Sequence, residues 1–232
     1  MDSDQNEQAR LAALRSYEVL DTESEAAFDE IASMAAELCE VPIAVVSLID
    51  EHQQWSKAAH GCPRGEVERS RAFCTHAIES DEPLVVRDAT RDPRFAENAM
   101  VTGEPHIRFY AGQPLIDGDG HALGSLCVID REPRDLSPLQ RKTLARLAAH
   151  VVHLLELRRS NRELAECLSR VDDMAALVPI CSHCHSVRDG DEQWQRIEHF
   201  LANLNGAKFT HGVCPVCIMQ HYTADLHSTA PR

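Results

Sequence analysis

The sequence predicts an α+β fold: an antiparallel sheet with helices on its faces, a long helix after it, and a small cysteine-stapled module at the end. Three observations lead there. Segments with apolar residues at helical spacing alternate with β-branched runs, in the order helix, strand pair, helix, strand, helix, strand pair, long helix. An apolar seam of period seven occupies the last of these. Beyond it stand two Cys-x-x-Cys pairs, Cys181 with Cys184 and Cys214 with Cys217.

Each element has a local reason. Gln5 to Tyr17 reads as a short polar helix with Leu11 and Leu14 on one face. Thr22-Glu23-Ser24-Glu25 has the pattern of a capping box and opens a second helix, whose Phe28, Ile31, Ala32, Ala35 and Leu38 form one stripe. Pro42 to Ile49 is a β-branched run, and Gln54 to Ala59 can return beside it as a hairpin. Ala72 to Ile78 looks helical and Pro83 to Val86 is a short strand. Asp92-Pro93 supplies an N-cap and an N1 proline for a brief helix through Phe95. Ile107, Phe109 and Ala111 alternate with Arg108, Tyr110 and Gly112, as in a half-buried strand. Asp117-Gly118-Asp119-Gly120 is a hairpin turn rather than a calcium loop, because the closing glutamate is missing and strands flank it. Ala122 to Ile129 is apolar on both faces and reads as a central strand. Ser137-Pro138-Leu139-Gln140 then caps the long helix.

In that helix Leu147, Leu154, Asn161, Leu168 and Ala175 fall seven apart, with His150, Leu157, Leu164, Val171 and Val178 offset by three. Such a seam, with one asparagine at a core position, is what a parallel two-stranded coiled coil uses to fix register, so a homodimer is expected.

The 232 residues are 44% hydrophobic, 26% charged and 5% aromatic, the proportions of a folded globular chain. With 23 Lys and Arg against 37 Asp and Glu the net charge is −14. That balance repels polyphosphate and anionic lipid, so neither nucleic acid nor a membrane is an expected partner. No apolar run approaches the ~20 residues that span a bilayer. The start, Met1-Asp2-Ser3-Asp4, lacks the features of a secretory signal, and a cytoplasmic location is expected. Nine cysteines in a reducing compartment point to metal or redox work.

Particular runs carry a family likeness. Tyr17 to Thr22, Pro42 to Asp50 with Gln54-Trp55, Ala72-Phe73-Cys74-Thr75-His76-Ala77-Ile78, Asp88-Ala89 with Asp92 to Phe95, Ile107 to Gly112, and Leu123 to Asp130 together resemble a GAF domain of bacterial two-component and cyclic-dinucleotide signalling proteins. The resemblance implies a small-molecule pocket beside the sheet and a signal passed through the terminal helices, in a regulator and not an enzyme. Candidate pocket residues are Trp55, Cys74, His76, Arg94, Phe109 and Tyr110, aromatic walls with a few polar groups that can orient a ligand. The attachment sequence of bilin-binding relatives is absent, and haem is unsupported.

The cysteine pairs give the strongest chemical signal. Two Cys-x-x-Cys knuckles can place four thiolates around one ion at about 2.3 Å, which makes Cys181, Cys184, Cys214 and Cys217 the expected ligands of a structural Zn2+. A dithiol redox switch, a rubredoxin-type iron centre and four unmetallated thiols are the alternatives. Between the knuckles Trp194, Ile197, Glu198 and Leu201 suggest a short helix. Pro179-Ile180-Cys181 and His211-Gly212-Val213-Cys214-Pro215-Val216-Cys217 also resemble a cysteine-rich segment found at the end of bacterial sensor proteins. Its net charge of −1, from four basic and five acidic residues over 181–232, favours a protein partner over DNA.

The expected organisation is an N-terminal helix at 1–16, a GAF sensor domain at 17–149, a coiled-coil linker helix at 150–178, a zinc-ribbon-like module at 179–223 and a disordered tail at 224–232. The expected function is a cytosolic sensor or adaptor that binds a small molecule and relays its state through a dimeric helix to the zinc-stapled module. The alternative is a thiol-based redox sensor or a methionine-sulfoxide-reductase-like enzyme, for which Cys62, Cys74 and Cys127 are available. In that reading Cys127 is expected to be buried in its strand and inert.

Overall fold

The computed structural model describes residues 2–175, 177–188, 193–196 and 208–221. They divide into two units, Met1–Asn161 and Arg162–Arg232. The first contains α1 (Asp2–Ser16), α2 (Ala26–Cys39), β1 (Ile43–Ile49), β2 (Gln53–His60), β3 (Glu66–Glu68), α3 (Phe73–Ala77), β4 (Leu84–Val86), α4 (Ala99–Thr102), β5 (Phe109–Ile116) and β6 (Ala122–Asp130). The long helix α5 (Pro138–Ala175) begins in it. The six strands form one sheet in the order β3-β2-β1-β6-β5-β4, and every neighbouring pair is antiparallel.

The sheet is buried on both faces, which explains its apolar central strands. All seven residues of β1 are buried. On the first face α2 and the start of α5, through Ile31, Ala35, Leu147 and Val151, pack against Val46, Leu48, Phe109 and Leu126. On the second face Phe73, Cys74, Phe95 and Ile107 pack against Val45, Tyr110 and Cys127. This corrects the expectation of a half-buried β5: Phe109 and Tyr110 are both fully buried, one in each layer.

Helix ends show which local signals were realised. Ser137 and Gln140 exchange the reciprocal bonds of a capping box, Ser137 N–H to Gln140 Oε1 at 2.9 Å and Gln140 N–H to Ser137 Oγ at 3.2 Å. The box expected at Thr22 to Glu25 does not form. Ser24 donates to Asp29 and Thr22 to the Val19 carbonyl, while the Glu25 carboxylate is taken by Lys57 and Arg158. Asp92 starts only a turn, bonded to Arg94, Phe95 and Ala96. The brief helix comes later, at α4, where the Asn98 side chain accepts from the Met100 N–H.

In the second unit β7 (Leu177–Cys181), β8 (Val187–Arg188), β9 (Trp194–Gln195) and β10 (Lys208–Gly212) form a sheet ordered β10-β7-β8-β9, and α6 (Pro215–His221) follows. Strands β10 and β7 run parallel. The helix expected around Trp194 is corrected at its start: Trp194 and Gln195 pair with β8. Ile197, Glu198 and Leu201, like the tail expected at 224–232, lie outside the described residues.

Candidate functional site

A cavity of about 270 Å³ lies on the second face of the sheet, with Ile43 and Val45 of β1, Gln54 and Ser56 of β2, and the 62–67 segment among its lining. Strand pleating decides which side chains reach it. Gln54 and Ser56 lie opposite Ile49 and Ser47, while Trp55 lies opposite Leu48 of the other layer. The segment from Cys62 is set by Gly61, whose φ of +74° and approach to the Pro42 carbonyl leave no room for a side chain. Burial pushes the Cys62 thiol above its usual range. Apolar walls with a few polar groups, at a volume just below the roughly 300–1,000 Å³ of drug-sized pockets, suit a small metabolite.

None of the six residues named from the sequence is among those lining this cavity. The sheet separates them. Trp55 and Phe109 belong to the first layer, and Cys74 and Tyr110 to the second. His76 and Arg94 sit near Phe95, His76 edge-on at 5.1 Å and Arg94 over its ring at 5.1 Å. Both have local partners: His76 Nδ1 is 3.1 Å from Glu79, and Arg94 donates twice to Asp92. That last pairing holds the Asp92 carboxyl below its usual range. The cavity residues missed by sequence reading, Cys62 to Val67, sit in an aperiodic stretch. Gly61, Pro63 and Gly65 mark it as a loop and nothing more.

Beside the cavity is a buried polar cluster. Ser47 and Ser125, neighbours across β1 and β6, are fully buried, and each interrupts an apolar run. The Tyr110 hydroxyl donates to Cys74 Sγ at 3.3 Å and lies 3.5 Å from Ser125 Oγ. Cys74 Sγ is 3.5 Å from Ser47 Oγ and 3.8 Å from Cys127 Sγ. Gly112 makes this possible, because a Cβ there would stand 2.2 Å from the Tyr110 hydroxyl. The hydrogen bond between Cys74 and Cys127, aided by Ser125, Tyr110 and Ser47 and opposed by burial, brings the Cys74 thiol below its usual range. The same pairing, with burial, pushes Cys127 well up. Cys127 is buried, as expected from its strand, but its sulfur faces a second thiol.

On the opposite face, Lys57 is fully buried and donates to Thr22 Oγ1 at 2.8 Å, the Glu23 carbonyl at 3.0 Å and Glu25 Oε1 at 2.5 Å. The register between β1 and β2 skips at this residue, from Val46 opposite Ala58 to Ser47 opposite Ser56, so Lys57 is the extra residue of a bulge. Glu25 Oε1 also accepts from Arg158 of α5 at 3.0 Å, and Arg158 donates to the Tyr17 and Glu18 carbonyls. Strand β2 therefore touches the cavity on one side and the start of this ion-pair chain on the other.

In the second unit the four knuckle cysteines converge. Their sulfurs all lie within 4.8 Å of one another, and Cys184 and Cys214 are 3.7 Å apart. Four sulfurs around a tetrahedral ion at 2.3 Å would be spaced about 3.8 Å, so the donor set fits a metal ion. The two knuckles repeat one geometry: the N–H of His185 bonds the Cys181 carbonyl at 2.9 Å and that of Ile218 the Cys214 carbonyl at 3.0 Å. His183 and His185 are exposed, and His183 stacks on His221 at 4.9 Å. The side chain of His211 lies outside the described residues.

Comparison with known proteins agrees with the architecture of the first unit. The chain is 42% identical over 143 residues to a protein of Pseudomonas aeruginosa named as a cyclic di-GMP phosphodiesterase, a match covering 62% of this chain and 24% of that protein. The chain thus spans about a quarter of that curated relative. The finding corrects the expectation that the chain is not an enzyme: a missing catalytic motif is no argument against activity when the matched relative carries an enzyme's name. Solved structures share the fold at low identity. The blue-light-absorbing PixJ GAF domain of Thermosynechococcus elongatus has a TM-score of 0.52 at 18% identity, covering 62% of this chain and 92% of that one. The GAF domain of a Coxiella burnetii phosphoenolpyruvate-protein phosphotransferase has 0.52 at 17%, covering 68% and 98%. The corresponding Acinetobacter domain has 0.51 at 19%, covering 66% and 94%. Among the described residues no helix is long and apolar enough to cross a membrane. The family profile described as the GAF domain matches residues 23–155, more than half of the sequence, and the chain belongs to that family.

Proposed function

We propose that this chain is a signalling sensor whose first unit binds a small metabolite in the cavity beside Gln54 and Ser56 and reports occupancy to α5. The observation that carries the reading is the two-sidedness of β2. A ligand that moves Gln54 or Ser56 acts on the strand that holds Lys57, and Lys57 shares the Glu25 carboxylate with Arg158 of α5. Such a chain can bias a helix between two states when the ligand prefers one of them. The likeness to a cyclic di-GMP phosphodiesterase supports a place in cyclic-dinucleotide signalling.

Output runs through α5 and the cysteine module. Leu157, Leu164 and Leu168 are each more than half exposed at seam spacing, which supports pairing of α5 with a second copy. Leu147 is instead buried in its own unit, so the seam opens beyond it. The four cysteines hold Zn2+, and the module they staple contacts a protein partner. The segments 17–149, 150–178 and 179–223 are the sensing, relaying and contacting parts in this reading.

Native mass spectrometry with elemental analysis, on protein purified without added metal, tests it. The expected species has two chains, one zinc per chain, and a small-molecule adduct that is lost on denaturation. A single chain carrying neither zinc nor adduct would overturn the reading.

A further inference from the structure

The ligand reading uses none of the buried cluster around Cys74, and that cluster is more than core filling. Core thiols need no hydroxyls, yet three meet here, from Ser47, Tyr110 and Ser125, at a cost that an apolar layer would avoid. The two sulfurs, 53 residues apart in sequence and on different elements, stand 3.8 Å from each other. We propose that Cys74 and Cys127 are a redox-modification site, closed to an intramolecular disulfide by a hydroperoxide.

The chemistry balances within the cluster. The Cys74 sulfur, as thiolate, attacks the terminal peroxide oxygen; the O–O bond breaks, giving a sulfenic acid and an alkoxide or hydroxide that takes up the proton Cys74 has lost. The Cys127 sulfur then attacks the Cys74 sulfur. The S–O bond breaks, and hydroxide leaves with the Cys127 proton as water. Both sulfurs are oxidised, the peroxide is reduced to an alcohol or water, and a second water is released. Hydroxyls of Ser47, Ser125 and Tyr110 are placed to hydrogen-bond the thiolate that starts the sequence.

Access has two structural routes. Val45, the cross-strand neighbour of Cys127, lines the cavity. Helix α3, which carries Cys74, is five residues long, and its N-cap Ala72 supplies no side-chain hydrogen bond. A turn that short opens locally without unfolding the sheet.

Peptide mapping decides the proposal, because trypsin places Cys39, Cys62, Cys74, Cys127 and Cys167 on separate peptides. The full chain is reduced, freed of reductant, exposed to hydrogen peroxide, alkylated in denaturant and digested. The expected product joins residues 72–87 to residues 109–131 with the loss of two hydrogens. It is absent from Cys74→Ser and Cys127→Ser, and present in Cys39→Ser. In Cys127→Ser, dimedone labels Cys74 as the trapped sulfenic acid. The proposal fails if both peptides return fully alkylated at a peroxide dose that oxidises the exposed Cys167. It also fails if Cys74 is found bridged to Cys62 instead, or if the link appears only in protein whose circular dichroism has been lost. If a serine variant does not fold, the peptide map of the unaltered chain still separates these outcomes.

Discussion

Lys57 is the residue whose surroundings are most demanding, because its ammonium has no contact with water and depends on Thr22, Glu23 and Glu25 for every compensating bond. Breaking a buried pair by removing one partner is costlier than replacing the charge by an apolar chain of similar shape. Glu25→Ala is therefore expected to cost about 3 kcal/mol, and Lys57→Met under about 1 kcal/mol, in urea unfolding. Equal losses would mean that water reaches the ammonium. Glu7 makes the opposite, half-exposed case. Arg10 foremost, with Arg69, holds its carboxyl down to about 2 against the opposing effect of burial. Since its folded value lies below the ordinary 4.5, the stabilisation is complete above about pH 4.5 and lost as pH falls towards 2. Solvent screening limits it to about 1 kcal/mol. Acid titration of stability should show Glu7→Gln losing this dependence between those two values.

At the scale of elements, β5 is shaped by what is missing from it. Gly112 leaves the space that the Tyr110 ring occupies, so Gly112→Ala is expected to lower stability by about 2–3 kcal/mol through overpacking. Tyr110→Phe removes the nearest clashing atom, and the double variant should be less damaging than the sum of the singles in the same unfolding assay. The strands themselves were legible because β1 and β6 are largely apolar, broken in their middles by Ser47 and Ser125, and the hairpins because Asp117-Gly118-Asp119-Gly120 and Asp50-Glu51-His52 punctuate them. Less legible was the layer to which each side chain belongs. Alternation places Phe109 and Tyr110 on opposite faces, but nothing local says that both faces are covered. The skipped register at Lys57 is also silent in sequence, since a bulge needs both strands to be seen. Of the site, each pair of knuckle cysteines was readable from its short-range spacing, whereas their convergence is made by the parallel pairing of β7 with β10, which joins residues about 30 apart. The cavity was not, since its lining is assembled from β1, β2, β3, β6, α4 and two loops.

For the whole molecule, the zinc proposed at the four cysteines predicts that the two units respond differently to a chelator. The second has few buried side chains beyond Cys181, Val187, Cys214 and Cys217 among its described residues, so a chelator is expected to melt it by removing its central bonds. The first unit, with a two-layer core and no such cluster of cysteines, should keep its thermal transition within about 2 °C in calorimetry. A shared loss of both transitions would show that the units are stabilised together. The ties around Lys57 bear on where the sensing unit can be cut. The family match begins at residue 23, yet Leu14, Tyr17 and Val19 are fully buried in the first layer, and Thr22 completes the shell around the ammonium. A fragment trimmed to the homology boundary would expose this apolar surface and strip a buried cation of one ligand. It is expected to express as aggregate, whereas one starting at Gln5 stays soluble.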